Sequence, residues 1–325
     1  DTTVQALRSR IRDQENRIAK LESNMSSGAQ EQRVAEIVRD IQADGGSTAS
    51  GNTFHVYWKN GVRMDTANKK MKMKVGGRLM LDATWMDGTR VEDAFGTDFE
   101  DGVEVRRARL YWSAVWNKVL AWKWQFDFAG GDADLKDGYL EFLGLWCLGD
   151  LRIGHFKEPF SLEELTSSKY ITMIERSTPV EAFAPSRNMG IMLHNALFGE
   201  SKAERMTYAI GIFRDADEDG TVSQDGSYNM TLRVTGLPYY ANDGEQLVHI
   251  GAAYSYRHPD EDDARFRARP ETHLSPERFT DTGSFSTDGV NLFGAEAAMV
   301  WGPLSVQSEY MAANIEPLDD TLGDV

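Results

Sequence analysis

The chain has 325 residues, of which 41% are hydrophobic, yet it holds eight Trp, eleven Tyr and fifteen Phe and carries a net charge of −16. So acidic a chain lacks the basic stripe of a nucleic-acid binder, and no nucleic-acid partner is expected. It has no run of about eighteen apolar residues, which excludes a membrane-crossing helix but not a membrane-crossing barrel, whose strands look only half apolar.

In chain order, Val4, Leu7, Ile11, Gln14, Ile18, Leu21 and Met25 occupy the a and d positions of three heptads, and charged residues fill the rest. That pattern predicts an α-helical coiled coil, and residues 1–44 are read as an oligomerisation stalk. Ser26-Ser27-Gly28 breaks the phase before a second helical piece with Val34, Ile37, Val38 and Ile41 on one face. Residues 45–70 are expected to form a flexible linker and a small periplasmic hairpin that turns at Asn60-Gly61. The chain opens at Asp1 without a basic, apolar leader, which is read as the removal of a signal peptide. Cys147 is the sole cysteine and has no metal-ligand spacing around it.

From Leu120 to Phe128 the even positions are Leu, Trp, Trp, Phe and Phe, and the odd ones Ala, Lys, Gln and Asp. Successive side chains of a strand point to opposite faces, so this strand has one oily and one wet face. Comparable strands are expected at 71–86, 103–116, 119–128, 135–143, 150–156, 188–198, 205–213, 228–236, 246–256, 289–301 and 303–313. Their connections alternate between short and long, which suits the turns and external loops of a transmembrane barrel better than a β-sandwich. The fold class is therefore all-β: a transmembrane antiparallel β-barrel over 71–325, preceded by the coiled coil. Trp85, Trp112, Trp116, Trp122 and Trp124 suit the aromatic girdles of such a barrel.

The acidity is concentrated in 87–102, 214–227, 257–288 and 314–325, which together account for the whole net charge. Asp215-Ala-Asp-Glu-Asp-Gly220 matches the opening of a calcium loop, with Asp215, Asp217 and Asp219 as oxygen donors. The twelfth position is Gly226 rather than Glu, so a solvated acidic loop is the competing reading; calcium is the only cofactor the sequence suggests. The six His residues are scattered, without a nucleophile arrangement, a phosphate-cradling loop or zinc spacing, and no enzymatic activity is expected.

Residues 157–187 form a connection of unusual texture, too apolar to be disordered and with a helical rhythm from Ser161 to Ile174. A loop of this length is expected to fold back against something. Four stretches carry a resemblance to a known family: Val105-Arg-Arg-Ala-Arg-Leu110; Asp127-Phe-Ala129 with Lys136-Asp-Gly-Tyr-Leu-Glu141; Leu151-Arg-Ile-Gly-His-Phe-Lys-Glu-Pro-Phe-Ser-Leu-Glu163; and Thr166-Ser-Ser-Lys-Tyr-Ile-Thr-Met-Ile-Glu-Arg-Ser177 leading to Ala184-Pro-Ser-Arg187. Over 71–313 the chain resembles the phosphate-selective porins O and P.

The resemblance implies a homo-trimer of sixteen-stranded barrels in the bacterial outer membrane, in contact with lipid and lipopolysaccharide, with 157–187 as the constriction loop in the lumen. Eleven barrel strands fit before Val325, so five more are expected beyond it. Strand alternation turns Arg107, Arg109, Lys123 and Arg152 inward, and the resemblance sets Lys157, Lys169, Arg176 and Arg187 at the constriction. These eight are the expected anion path. The expected function is a water-filled channel for small hydrophilic solutes, phosphate or pyrophosphate being the narrower version. The alternative is a structural protein whose periplasmic stalk tethers the membrane to peptidoglycan or a surface layer.

Overall fold

The computed structural model describes residues 53–86, 95–197, 205–222, 228–259 and 263–318, with the side chain of Cys147 left aside. The stalk at 1–44 lies outside the described residues. Residues 53–55 and 66–68 belong to a separate compact unit, in which Ala67 N–H donates to Thr53 O at 3.0 Å. Residues 56–65 and 69 onward form the main unit.

The strands are β1 (Phe54–Trp58), β2 (Val62–Thr66), β3 (Met71–Thr84), β4 (Gly102–Trp116), β5 (Leu120–Asp127), β6 (Asp134–Phe142), β7 (Asp150–Lys157), β8 (Arg187–Leu197), β9 (Met206–Arg214), β10 (Asn229–Ala241) and β11 (Gln246–Arg257). Four two-residue strands follow, β12 (Asp263–Ala264), β13 (Arg267–Ala268), β14 (Thr280–Asp281) and β15 (Phe285–Ser286), and then β16 (Gly289–Trp301) and β17 (Leu304–Glu316). A single 13-stranded sheet runs in chain order from β1 to β11 and on to β16 and β17. The eleven long strands fall where the alternation places them. The hairpin does not stand apart, because Val62 to Asp65 pair antiparallel with Val75 to Lys72. Among the described residues no pairing joins β1 to β17, and the sheet keeps two edges, the unclosed sheet expected when eleven of sixteen barrel strands are present.

The two-residue turns rest on residues that tolerate positive φ, at Asn60-Gly61 (52° and 118°) and Asn117-Lys118 (49° and 59°). β10 runs five residues beyond its expected end, past Pro238, with a register shift between Gly236 and Tyr239. A bulge absorbs the proline, which cannot donate to the ladder. In the 257–288 connection β12 pairs β15 and β13 pairs β14, two small ladders with no counterpart in the sequence reading.

The sheet is apolar outside and polar inside. Leu110, Trp124, Phe126, Leu140, Ile153, Ile191, Ile212, Ile250 and Phe293 are exposed, whereas Arg107, Gln125, Asp127, Asp137, Glu141 and Glu296 are buried. In β5 the division follows the even and odd positions, with Trp124 and Phe126 out and Gln125 and Asp127 in. Of the five expected girdle tryptophans, Trp85, Trp116 and Trp124 are exposed, and the Trp112 ring packs edge-on against both Trp122 and Trp124.

The 157–187 connection lies inside the curve of the sheet. Phe160 is fully buried in a cluster with Ala253, Val290 and Leu292 of β11 and β16, joined by Phe183. The helix expected over 161–174 is limited to α1 (Leu162–Leu165). Its carbonyls end on a side chain, since Arg176 donates to the oxygens of Glu163, Glu164 and Thr166, each at 3.1 Å. A cation capping the last carbonyls terminates a helix that periodicity alone would continue. The second helix, α2 (Thr178–Phe183), begins at Ser177 with Pro179 in its first turn, a start signal legible in the sequence but not read there.

Candidate functional site: the channel wall and its loop

The inner faces of β3 to β10, with the loop, surround a cavity of about 1440 Å³. All eight residues of the expected anion path line it, brought together from three wall strands, the loop and the two strand ends that flank it. Most are paired. Arg109 donates to Asp127 at 2.6 Å, Lys123 to Asp137 at 2.5 Å, and Arg187 to the other oxygen of Asp137 at 3.0 Å. Arg152 and His194 share Glu141 at 2.6 and 2.7 Å. Lys157 and Arg176 share Glu164, each at 2.9 Å. Lys169 has no carboxylate partner among the described residues and sits 5.5 Å from the Tyr111 ring centre.

Alternation also turns Lys74, Arg78 and Arg233 inward, although their spacing did not single them out. Arg78 lies between Met71-Lys-Met-Lys74 and the outward Leu79 and Leu81, and this rhythm could have found it. It donates to Ser168 Oγ at 2.6 Å and to Ser167 Oγ at 3.4 Å, with no ion pair among the described residues. Lys74 lies 5.3 Å from the same Tyr111 ring that Lys169 faces. A Cβ at Gly76 would fall 2.5 Å from Tyr111 Oη, so the glycine leaves the ring room between the two lysines.

Arg106 is the residue no spacing could reveal. The β3–β4 register passes from Met80↔Arg107 to Leu81↔Val105, leaving Arg106 without a cross-strand partner. Such a bulge re-aims a side chain, so the neighbours Arg106 and Arg107 meet one carboxylate of the loop, Glu175, at 2.5 and 2.9 Å. Burial pushes the Glu175 carboxyl upward, but the hydrogen bond and charge of Arg106 and the charge of Arg107 outweigh it and hold the group below its ordinary value. The neighbours Glu175 and Arg176 thus have two tasks: Glu175 ties the loop to the wall and Arg176 ties it to itself.

The loop has further anchors. Glu158, fully buried, accepts from Arg257 Nη1 at 2.6 Å and Asn188 Nδ2 at 2.6 Å, and also from Thr231 Oγ1. Glu309 of β17 takes the backbone N–H groups of Leu162 and Glu163 at 3.0 and 2.7 Å.

The acidic loop after β9 does not gather its carboxylates. Asp215 is bound to Arg257 and Asn188, while Asp217 accepts from the backbone of Asp219 and Thr221 at 3.0 and 2.7 Å. Among the described residues no three His, Cys, Asp or Glu side chains form a group that could hold a metal.

Fourteen Arg and Lys line the cavity against eight Asp and Glu. Including Glu141, Glu175 and Glu296, which contact these bases from just behind the surface, the basic excess is three. The interior is therefore positive in a chain whose total is −16.

The model of the family described as phosphate-selective porin O and P matches residues 73–324. The chain is 26% identical over 309 residues to Porin O of Pseudomonas aeruginosa, covering 86% of this chain and 67% of that protein. Among solved structures, OmpT of Vibrio cholerae, an outer membrane protein in trimer form, matches at 11% identity over 75% of this chain and 89% of that one; the TM-score of 0.26 is too low to carry an argument. The family match spans most of the chain and coincides with a polar-lined, apolar-coated antiparallel sheet, and on these grounds the chain belongs to the phosphate-selective porin O and P family of outer-membrane channels.

Proposed function

We propose that the chain forms a water-filled outer-membrane channel for small hydrophilic solutes with a preference for anions, phosphate or pyrophosphate among them. The observation that carries this reading is the basic excess of the cavity inside a strongly acidic chain. Selectivity in a pore follows the charge that lines it, while the acidic outer loops are screened beyond about 8–10 Å at physiological salt.

The wall bases do not contribute equally. Arg109, Lys123, Arg152, Lys157, Arg176 and Arg187 face carboxylates and act mainly as a hydrogen-bonding lining. Arg78, Lys74 and Lys169, with the hydroxyls of Ser167 and Ser168, hold uncompensated positive charge and are the steps where an anion gains most. In this reading the exposed apolar face meets lipid and the assembly is the trimer that the family resemblance implies.

The test is the reversal potential of the purified protein in a planar bilayer under a salt gradient, with and without phosphate. An anion-directed potential and phosphate block are expected. A cation-directed potential without block would leave a general porin governed by its acidic mouth.

A further inference from the structure

Two carboxylates fasten the loop to opposite strands of the sheet, and they differ electrically. Glu175 is filled by two guanidiniums, Arg106 Nε and Nη2 at 2.5 and 3.2 Å and Arg107 Nη2 at 2.9 and 3.1 Å from its two oxygens. Glu309 holds the other half of the loop through two backbone N–H groups and among the described residues meets the Gln307 amide besides, at 3.1 Å, and no base. One anchor therefore cancels wall charge and the other does not. One carboxylate between two guanidiniums leaves a single net positive charge where the bulge has placed two. Because Glu175 rides on the loop, that cancellation sits at the constriction itself.

We propose that Glu175 is the specificity-setting residue of the channel: a loop-borne carboxylate that halves the charge of the Arg106–Arg107 pair and so limits anion preference. The inference rests on the anion reading above. Its sign is fixed by Coulomb's law: one unit of positive charge about 7 Å from the ion path in water, screened by salt over about 9 Å, raises local anion occupancy about 1.6-fold and lowers that of a cation as much, so their ratio changes roughly two- to threefold.

The experiment compares reversal potentials of the full chain as wild type, Glu175→Gln, Phe160→Ala and the double variant Arg106→Gln/Arg107→Gln, each checked for the folded form by its heat-modifiable gel mobility. Glu175→Gln should raise the anion-to-cation permeability ratio roughly two- to threefold. Phe160→Ala, which loosens the docked loop without changing any charge, should leave the ratio where it was. The double arginine variant should move it toward cations, because Glu175 is then bare.

No shift in Glu175→Gln, or equal shifts in Glu175→Gln and Phe160→Ala, would overturn the proposal in favour of a purely mechanical role. If Glu175→Gln does not fold, the arginine variant decides, and its failure to move toward cations overturns the proposal. A wild type without anion preference would instead sink the anion reading, and the difference between variants would still be read.

Discussion

Two connections of about thirty residues, 158–186 and 258–288, are both acidic and yet meet opposite fates. The first holds nine large apolar residues of the Val, Ile, Leu, Met, Phe and Tyr kinds and lies within the sheet; the second holds four and reaches the interior through a few side chains, Phe266 against the Phe160 cluster and Arg269 and His273 at the cavity. Charge does not separate them, because the acids of the inner loop find bases on the wall. Glu158, Glu164 and Glu175 are buried against Arg257, Lys157, Arg106 and Arg107, whereas Asp281 of the outer loop pairs with the largely exposed Arg265. The outer loop leans on the inner one, with Arg269 N–H donating to Glu181 at 3.0 Å and Phe266 4.9 Å from Phe183. What internalises a loop here is apolar surface together with carboxylates that have partners waiting.

The largest break in that contrast should come from Phe160→Ala. The ring is fully buried against Ala253, Val290 and Leu292, and truncating such a phenylalanine costs about 4 kcal/mol. Limited proteolysis should then cut the inner loop as readily as the outer one; continued protection would remove the apolar side from the account.

Glu158→Gln comes next. It leaves Arg257 buried with Asp215 as its remaining partner, at a cost of about 2–3 kcal/mol in loop docking. Hydrogen exchange of residues 158–165 should rise, and an unchanged rate would show that the network is dispensable.

Acidification probes the Glu175 anchor more gently. Its folded pKa is depressed, so its contribution is complete above the ordinary value of 4.5 and disappears as pH falls through the lower folded value. Protease protection of the inner loop should be flat from pH 8 to 5 and fall below about 4. A decline already between pH 7 and 6 would point to a different group.

The smallest effect is expected from Arg265→Ala in the outer loop. Solvent screens exposed pairs, and the Asp281 carboxyl, although held down to about 2 by its hydrogen bond to Arg265, lies at the protein surface. The melting temperature should not move, and a clear drop would erase the distinction between the two loops.

Much of this was legible in the residues. Leu120 to Phe128 announces a strand with its faces assigned, and the same parity turns Arg107, Arg109, Lys123 and Arg152 inward. Asn60-Gly61 marks a turn because both residues tolerate positive φ. The helical rhythm after Ser161 misled, since Arg176 ends α1 after four residues from a position further along the chain. The acidic loop after β9 shows the same dependence on distant residues, since Asp215 turns to Arg257, 42 residues away in sequence.

By itself the sequence determined the strands, their inner and outer faces and the family, because a two-residue period is a local property that needs no partner to be expressed. Only the tertiary structure decided which bases remain uncompensated. The bulge that turns Arg106 beside Arg107 arises in the pairing with β3, and the carboxylate that meets them and the hydroxyls facing Arg78 come from loop residues 68 to 90 positions away. Electrostatic pairing depends on distance in space, and no spacing along the chain encodes that distance.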